Sequence, residues 1–363
     1  MIVKNISLNN FRNYENEKIE FSPNVNIIYG NNAQGKTNIL EGIYLFSVGK
    51  SNRTVHDSEL IKFGEKDAKL NLDFFSQGRE NSAEFKIFSD KRKKIEINEI
   101  PVKKNSELVG KFNTVYFGPE YMSIIKEGPK NRRKNLDILI SQLHKDFFYS
   151  LMQSKRIIEQ KNALLKMDNP DKMMLSVLNE NLIKISLEII KYRFEYIKKL
   201  EKYSKIYQNE ISGGKEDLEI KYNSFIGYIE DFDEKKIKKR IEDKINSVLK
   251  REILYKESMA GCQRDDIEFF INGKDVKSFG SQGQQKTVVL VQKIAEVEII
   301  KEEKGEYPVL LLDDITSELD IKRQRFLLSK LQNMQIIITC TDRRKFKNME
   351  DTKFIRIDKG RQI

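Results

Sequence analysis

The segment from Gly30 to Thr37 constrains the fold of this chain more than any other feature of its sequence. It reads GNNAQGKT and matches the pattern G-x-x-x-x-G-K-[ST]. Alternating apolar residues before it, such as Val25 and Ile27, predict a strand, and apolar residues at helical spacing after it predict a helix. A match placed between a strand and a helix predicts a phosphate-binding loop in an α/β fold.

The residue types of this loop suit a bound nucleotide. Glycines let backbone N–H groups point at a triphosphate that lies on the helix N-terminus, where the helix dipole favours an anion. We expect Lys36 to act as a catalytic residue that reaches the β and γ phosphates, and Thr37 to ligate Mg²⁺. A chance glycine-rich turn is the alternative, and the flanking elements count against it. The predicted ATP-binding residues are Gly30, Asn31, Asn32, Ala33, Gln34, Gly35, Lys36 and Thr37.

The second part of the predicted site is a buried strand that ends in two carboxylates. The apolar run from Val309 to Leu312 is followed directly by Asp313 and Asp314. Such a run is typical of a strand covered on both faces, and ligands bind at the carboxyl ends of strands in open α/β sheets. We predict that both aspartates are catalytic: Asp313 contributes to the Mg²⁺ site and Asp314 polarises the attacking water.

A helix start about 30 residues before Asp313 predicts a second anion site. The Ser281 hydroxyl and the free N–H groups of the first turn favour an anion, yet the chain has a single phosphate loop to supply one. The economical explanation is that this segment contacts the γ-phosphate held by another copy of the protein. An ordinary helix cap is the alternative. The residues predicted to act in this way are Ser281, Gln282, Gly283 and Gln284.

A loop that follows the acidic pair is predicted to fold across the same dimer interface. It contains Ser317 and Asp320, whose side chains suit helix capping. An ordinary N-cap is again the alternative for each residue alone.

Hydrophobic periodicity divides the chain into α/β segments and a helical insertion. Residues 1–30 predict a hairpin followed by a central strand, and residues 67–117 predict an antiparallel sheet. Beyond Gly128-Pro129 the pattern is helical for well over a hundred residues. We predict one helix that includes Leu136 to Leu151, a long one from Asp171 to Ser212 with a heptad-like seam, and a third around Ile237 to Leu249.

The α/β pattern returns after about residue 258, where Asn272-Gly273 predicts a hairpin turn. The fold class is therefore α/β, with a P-loop and an inserted helical lobe. The predicted domains are residues 1–125 for the N-terminal part of the α/β domain, 126–258 for the helical lobe and 259–363 for the C-terminal part of the α/β domain, which the resemblance described below implies to be an ATPase head.

The composition excludes several classes of protein. The 363 residues include two cysteines, Cys262 and Cys340, and two histidines, so a disulfide scaffold, a zinc module and a His-rich metal centre are not supported. No apolar run reaches the roughly 18 residues of a membrane span, and we expect a cytoplasmic protein without a membrane partner. The formal net charge of +11 favours a polyanionic partner but also suits solubility alone.

In this order the motifs resemble the RecF family of bacterial DNA-repair ATPases, which is related to the ABC-type ATPase heads of SMC and Rad50 proteins. The similarity runs from end to end. It is densest at LNNFRNY from Leu8 together with the phosphate loop, at GKSNRT from Gly49, at RRKNLD from Arg132, and from Arg264 through Asp342.

The resemblance implies an ABC-type P-loop ATPase head with an inserted helical lobe, with ATP and Mg²⁺ as cofactors. It implies two protomers that sandwich ATP while holding DNA, in recombinational repair and replication restart. It further implies the mediators RecR and RecO as partners, at single-strand gaps and double-strand/single-strand junctions. Hydrolysis would be weak, stimulated by DNA, and would time the dimerisation.

Positive charge that suits DNA lies in several segments. Basic runs occur at Lys91 to Lys94, Lys130 to Lys134 and Lys235 to Arg240, although such runs are usually solvated faces and acidic residues before Lys235 favour that alternative there. No aromatic platform is evident, so we expect phosphate-directed binding that weakens as salt rises. The predicted DNA-binding residues are Arg12, Arg53, Arg132 and Arg133.

Two other classes share parts of the pattern. One is the motor subunit of an ABC transporter, but about 250 residues separate Gly30 from Ser281, and Thr339-Cys340 stands near the place of the expected switch histidine. No clear Q-loop glutamine precedes the helical insertion either, where Gly118-Pro119-Glu120 occupies the junction. The other class is an SMC-like structural head, but the helical segment is too short for a long arm at about 1.5 Å per residue.

Overall fold

The computed structural model describes residues 1–104, 107–315, 319–331, 333–346 and 351–363. The chain divides into two compact units, Met1–Met122 with Val289–Ile363, and Ser123–Val288. The three predicted domains stay predictions, and residues 259–288, which they assign to the head, fall in the second unit. The predicted interface residue Ser317 lies outside the described residues.

The strands of the described residues fall into three sheets. They are β1 Ile2–Phe11, β2 Tyr14–Glu20, β3 Val25–Tyr29, β4 Asp67–Ser76, β5 Arg79–Phe88, β6 Lys94–Ile97, β7 Ile100–Pro101, β8 Thr114–Phe117, β9 Leu218–Ser224, β10 Gly227–Tyr228, β11 Asp266–Ile271, β12 Lys274–Asp275, β13 Val309–Asp313, β14 Ile336–Cys340, β15 Thr352–Asp358 and β16 Arg361–Gln362.

The α-helices differ widely in length, from one turn to eleven turns. They are α1 Lys36–Val48, α2 Ser123–Lys126, α3 Pro129–Leu143, α4 Lys145–Leu165, α5 Lys172–Ser212, α6 Glu234–Tyr255, α7 Val276–Phe279, α8 Gln282–Lys304 and α9 Ile321–Lys330. Short 3₁₀ helices span Asp57–Leu60, Pro119–Met122, Cys262–Arg264 and Arg343–Phe346. None of the described helices is long and apolar enough to cross a membrane.

The first unit contains an antiparallel sheet in the order β2-β1-β4-β5-β6-β7. The predicted hairpin of β1 and β2 is confirmed, with Ile6 opposite Ile19. Alternating side chains of β1 and β4 are buried, because one face of the sheet covers the core. Apolar burial on this face is the main stabilising contribution, at about 1.5–3 kcal/mol for each fully buried large aliphatic side chain.

The second sheet of this unit has the order β16-β15-β3-β14-β13-β8 and is parallel except for the β15–β16 pair. The assignment of Val115 and Phe117 to the antiparallel sheet was wrong: they lie in β8, which pairs in parallel with β13. All four residues of β8 are buried, as expected for a strand covered on both faces, and so short a run has no alternation to reveal its sheet.

Helix α1 packs against both sheets of the first unit. Its Gly42 packs closely on the antiparallel sheet, since an added Cβ would lie 3.2 Å from the Ile6 side chain and 3.3 Å from the Leu8 side chain. The helix also contacts β13 and β14 of the parallel sheet. The phosphate loop, whose last two residues begin α1, is thereby attached to the core.

The second unit is largely helical, as predicted, but it also contains a sheet in the order β10-β9-β11-β12. Strand β9 was missed within the predicted helical insertion, although its side chains alternate between buried and half-buried. The predicted helix through Leu136 and Leu151 is two helices, because His144 between α3 and α4 has extended backbone angles. The long helix α5 is confirmed, with Asp171 as its N-cap and Gly213 at its end.

A buried ionic network joins several elements of the second unit. Arg193 of α5 donates to Asp137 at 2.9 and 3.0 Å and to Asp265 at 2.6 Å. Asp265 also accepts hydrogen bonds from Tyr222 at 2.6 Å and from the backbone of Phe225 at 2.8 Å. Since each buried charge has several partners, the network positions the segment before β11 against α3, α5 and β9.

Candidate nucleotide site

The phosphate loop requires glycine at its two ends. Gly30 has φ of 156°, and a Cβ there would lie 2.2 Å from the Ile357 carbonyl oxygen. Gly35 has φ of 106°, and a Cβ there would lie 2.6 Å from the Asn13 side chain. Any larger residue would strain the backbone or displace a neighbour at either position. The shape of the loop therefore demands these two glycines of the motif.

Lys36 points back into the loop from the first turn of α1. Its Nζ donates to the carbonyl oxygens of Gly30 at 2.8 Å and Asn31 at 2.7 Å. Burial lowers the pKa of Lys36, while the nearby carboxylates of Asp314 and Asp313 act in the opposite direction. The ammonium group thus lies inside the loop, with two backbone carbonyl oxygens as its partners.

Asp313, at the end of β13, accepts hydrogen bonds from side chains of β8, β14 and the first turn of α1. Its Oδ1 accepts hydrogen bonds from the hydroxyls of Thr37 at 2.9 Å and Thr339 at 2.5 Å, and its Oδ2 accepts one from Tyr116 at 2.9 Å. Parallel pairing places Asp313 beside Thr339 in β14, so the carboxylate emerges at the carboxyl edge of the sheet. The structure therefore brings the predicted residues Thr37 and Asp313 together.

The oxygen atoms of this group fit a hard divalent cation. A threonine hydroxyl and a carboxylate are ligands that Mg²⁺ prefers, and Mg²⁺ commonly takes the rest of its shell from water and phosphate. In the described part of the chain no group of three or more His, Cys, Asp or Glu side chains is arranged to hold a metal on its own. A metal here would therefore depend on a bound phosphate for part of its coordination.

Asp314 follows with a left-handed backbone, at φ of 47°. Its N–H donates to the Thr339 hydroxyl at 3.0 Å, so the same threonine contacts both aspartates. Left-handed backbone is uncommon outside glycine, although aspartate tolerates it better than most residues. The conformation turns the chain away from β13 directly after Asp313 and gives the two carboxylates different positions.

Two residues near Asp313 were not assigned a role from the sequence. Tyr116 binds Asp313 directly, and it was missed because its strand was placed in the other sheet. Glu120 follows β8 and accepts a hydrogen bond from Asn52 at 2.8 Å. Burial raises the pKa of Glu120, and the Asp313 carboxylate adds to that shift. The junction that lacks a Q-loop glutamine therefore still places a polar side chain close to the acidic strand.

The first two predicted DNA-binding arginines are held by one buried glutamate. Arg12 forms a two-pronged ion pair with Glu41, with N–O distances of 3.0 and 2.7 Å, and also donates to the Glu59 carbonyl at 2.8 Å. Arg53 donates to Asn38 at 2.9 Å and approaches Glu41 at 3.4 Å. Glu41 has no exposed surface, and sequence reasoning missed it because it lies on the apolar face of α1.

The other two predicted DNA-binding arginines are bound inside the second unit. Arg132 is 6% exposed and forms a two-pronged ion pair with Asp266, with distances of 2.7 and 2.9 Å. Arg133 donates to the Asp265 carbonyl at 2.5 Å, and burial lowers its pKa. Both arginines thus contribute to the packing of α3 against the segment around Asp265.

The predicted second anion site, at the start of α8, forms a capping box. The Ser281 N–H donates to the Gln284 side chain at 2.9 Å, and the Gln284 N–H donates back to the Ser281 hydroxyl at 3.2 Å. Gln284 also donates to Glu216 at 2.9 Å. Ser281 and Gln282 are exposed, so this helix start is accessible to another molecule.

Asp320 is the N-cap of α9. Its carboxylate accepts a hydrogen bond from the Arg323 N–H at 2.9 Å, and this bond lowers the pKa of Asp320. The ordinary capping role expected as the alternative is therefore present. Its predicted companion Ser317 lies outside the described residues.

The similarity to known proteins extends over the whole chain. The family model of the RecF/RecN/SMC N terminal domain matches residues 2–362. The DNA replication and repair protein RecF of Clostridium acetobutylicum is 44% identical to the chain, and the alignment covers 99% of each protein. Two solved structures of the recombination mediator protein RecF in the RecFOR pathway, with ATPrS and with ATP, match with TM-scores of 0.92 and 0.89. Both are 37% identical to the chain and cover 99% of it, with 97% and 98% of their own chains covered.

Proposed function

The chain belongs to the RecF family, and we propose that it is an ATP-dependent DNA-binding protein of recombinational repair and replication restart. The observation that carries this proposal is the hydrogen bond between Thr37 and Asp313, which joins the phosphate loop to the acidic strand. Full-length similarity to RecF proteins supports this function over that of a transporter motor or an SMC-like head.

The site has the parts that ATP hydrolysis needs. Loop residues Gly30 to Thr37 would bind the triphosphate, with Lys36 at the β and γ phosphates. Thr37 and Asp313 would hold Mg²⁺, which when bound neutralises charge on the phosphate oxygens. Asp314 would accept a hydrogen bond from the attacking water and orient it. A relative solved with ATP supports the choice of nucleotide.

We further propose that a second copy of the chain completes the ATP site. The exposed start of α8, with Ser281, Gln282, Gly283 and Gln284, would contact the γ-phosphate in the partner's loop. Asp320 and Ser317 would lie at the same interface. Because the dimer would depend on the γ-phosphate, hydrolysis of ATP would separate the two protomers. Weak DNA-stimulated hydrolysis would therefore time the dimerisation and would not act as a motor.

The proposed partners are DNA and the recombination mediators. RecF relatives of the RecFOR pathway support RecR and RecO as protein partners. The expected DNA structures are single-strand gaps and double-strand/single-strand junctions, bound without sequence preference. The net charge of +11 is compatible with such binding.

Light scattering of the purified chain tests the central proposal. The mass should double on addition of ATP with Mg²⁺, and a gapped DNA duplex should bind preferentially to the ATP-treated protein. ADP is the matched control, because it fills the phosphate loop but lacks the γ-phosphate. A chain that stays monomeric with ATP and binds DNA equally in all nucleotide states would contradict the ATP-dependent dimer.

A further inference from the structure

Each of the four arginines predicted to contact DNA already has an acceptor inside its own unit. The acceptors are carboxylates for three of them and a backbone carbonyl for the fourth. Using Arg12 or Arg132 for DNA would mean breaking a buried or half-buried ion pair, which is costly once a carboxylate is left unpaired. Phosphate contacts are therefore expected from cations that the fold leaves without an ion-pair partner. The four arginines that already have acceptors are Arg12, Arg53, Arg132 and Arg133.

The turn between β5 and β6 is held in place by one of its own lysines. Lys93 is 13% exposed; its Nζ donates to the Gly49 carbonyl at 2.5 Å and pairs with Asp57 at 2.9 Å. Both neighbours of Lys93, Arg92 and Lys94, are exposed. The anchored lysine thus fixes an exposed basic turn.

Further cations lie beside this turn. The bond from Lys93 to Gly49 brings the turn next to the exposed Lys50. The Ser89 N–H donates to the Lys66 carbonyl at 3.1 Å, which brings the exposed Lys66 to the start of the turn. We call Lys50, Lys66, Lys91, Arg92 and Lys94 the basic turn surface.

Among the residues that the structure describes, none of the five side chains of the basic turn surface forms an ion pair, although the exposed Glu65 and Asp67 flank Lys66 in the chain. Lys91 lies 4.2 Å from the centre of the Phe88 ring, which orients its ammonium group without cancelling its charge. Asp90 is the acidic residue of the turn, against three exposed cations in the same segment.

We propose that the basic turn surface binds the phosphate groups of DNA. This inference rests on the proposed function as a DNA-binding protein and states where on the first unit that binding occurs. Duplex DNA carries one negative charge for about every 1.7 Å of its axis, so a compact group of unpaired lysines can contact several phosphates and release their counterions. Contacts of this kind position the protein without reading the base sequence.

The run from Lys235 to Arg240 in the second unit has a similar composition but a different environment. Lys236 pairs with Asp233 at 3.8 Å and Lys239 with Asp243 at 2.9 Å. Arg240 donates to the Ile226 carbonyl at 2.8 Å. Three of its five cations therefore have partners within the fold, and the run supplies a control with the same number of cations.

The test compares two quadruple variants of the full-length chain with the same loss of charge. One carries Lys66→Gln, Lys91→Gln, Arg92→Gln and Lys94→Gln, and the other carries Lys235→Gln, Lys236→Gln, Lys238→Gln and Lys239→Gln. Binding of a fluorescent gapped duplex is measured by anisotropy in the presence of ATP over a range of salt concentrations. Affinity for ATP, measured on the same samples, reports that each variant is folded.

We expect the first variant to bind DNA at least about tenfold more weakly at low salt. Its slope of log K against log salt should fall by about 0.9 for each phosphate that the variant no longer neutralises. The control variant should keep a slope close to that of the unaltered chain. Equal losses in both variants, or an unchanged slope in the first, would overturn the inference. If the unaltered chain bound no DNA, the proposed function would fail and the inference with it, whereas binding unaffected by the first set of substitutions would reject the surface alone.

Discussion

The hydroxyl of Thr37 donates a hydrogen bond of 2.9 Å to the carboxylate of Asp313, which lies 276 residues further along the chain. Parallel pairing of β3 with β14 and of β14 with β13 brings the two residues to the same edge of the sheet. Each is held by a second element, Thr37 by α1 and Asp313 by the hydroxyls of Tyr116 and Thr339. The protein's own hydrogen bonds thus hold the predicted metal-binding pair together.

Replacing Lys36 by methionine should abolish ATP binding. The substitution removes an ammonium group that would form charge-assisted bonds with phosphate, each worth about 1.5–3 kcal/mol, so an affinity loss of at least about a hundredfold is expected. Isothermal titration calorimetry with ATP measures this loss. Lys4→Met, at an exposed lysine in β1, is the control and should bind ATP normally. Normal affinity in the Lys36 variant would remove the phosphate-loop assignment.

Replacing Tyr116 by phenylalanine should raise the Mg²⁺ concentration needed for half-maximal ATP hydrolysis. The change removes the donor at Asp313 Oδ2 and frees the carboxylate to rotate. The unfolding free energy should also fall by about 1–3 kcal/mol, because a buried acceptor loses its partner.

Tyr222→Phe is the matched control for this substitution, since Tyr222 donates to Asp265 at 2.6 Å in the other unit. It should lower stability similarly and leave the Mg²⁺ requirement unchanged. Similar Mg²⁺ requirements in both variants would show that Tyr116 contributes to stability alone.

Replacing Ser281 by arginine should leave ATP affinity intact and prevent ATP-dependent dimerisation. The new side chain would occupy the exposed start of α8, where the partner's γ-phosphate is proposed to lie. Size-exclusion chromatography with light scattering distinguishes monomer from dimer. Ser278→Arg, an exposed position three residues earlier, should still dimerise. A dimer formed by the Ser281 variant would reject the composite site.

Reversing the charge of Arg132 should destabilise the second unit. Asp266 would lose both bonds of its ion pair and face a like charge, and breaking a buried pair costs about 3–5 kcal/mol. Urea denaturation followed by circular dichroism measures this cost. Lys130→Glu, at an exposed position of the same helix, should change stability by less than about 0.5 kcal/mol. A stable Arg132→Glu variant that binds DNA poorly would instead support the sequence-based role in DNA binding.

Replacing Glu120 by glutamine should change the pH dependence of stability. Burial raises the pKa of Glu120 above its usual value of 4.5, so the folded protein retains a proton that the unfolded chain loses. Stability from this group is therefore full below pH 4.5 and is lost as pH rises through the raised pKa. Compared with the unaltered chain, the glutamine variant should gain relative stability between about pH 4.5 and 7 in denaturation experiments. A constant stability difference over this range would contradict the raised pKa.

Local sequence patterns predicted the elements of the nucleotide site well. The phosphate loop, helix α1 and the strand that ends in Asp313 follow from motif and periodicity, because each depends on residues close together in the chain. The long helix α5 was predicted for the same reason, since Asp171 and Gly213 mark its ends and its apolar spacing is regular.

Features that depend on distant neighbours were wrong or missing. Strand β8 was assigned to the wrong sheet because four consecutive buried residues carry no information about their partner strand. The break at His144 was missed because the apolar spacing continues through it. Glu41 was overlooked because a charged residue on an apolar helix face is informative only when its partners Arg12 and Arg53 are known.

Motifs and periodicity are local properties, and they were enough to predict an α/β ATPase head with a phosphate loop, an acidic strand and a helical insertion. Which charges remain available to a ligand became clear only in the folded chain. Arg132 and Lys94 both belong to basic runs of the sequence. In the structure Arg132 is buried against Asp266, whereas Lys94 is exposed and forms no ion pair with a described residue. Whether a charge is neutralised depends on packing between residues far apart in the chain, and that packing cannot be read from local spacing.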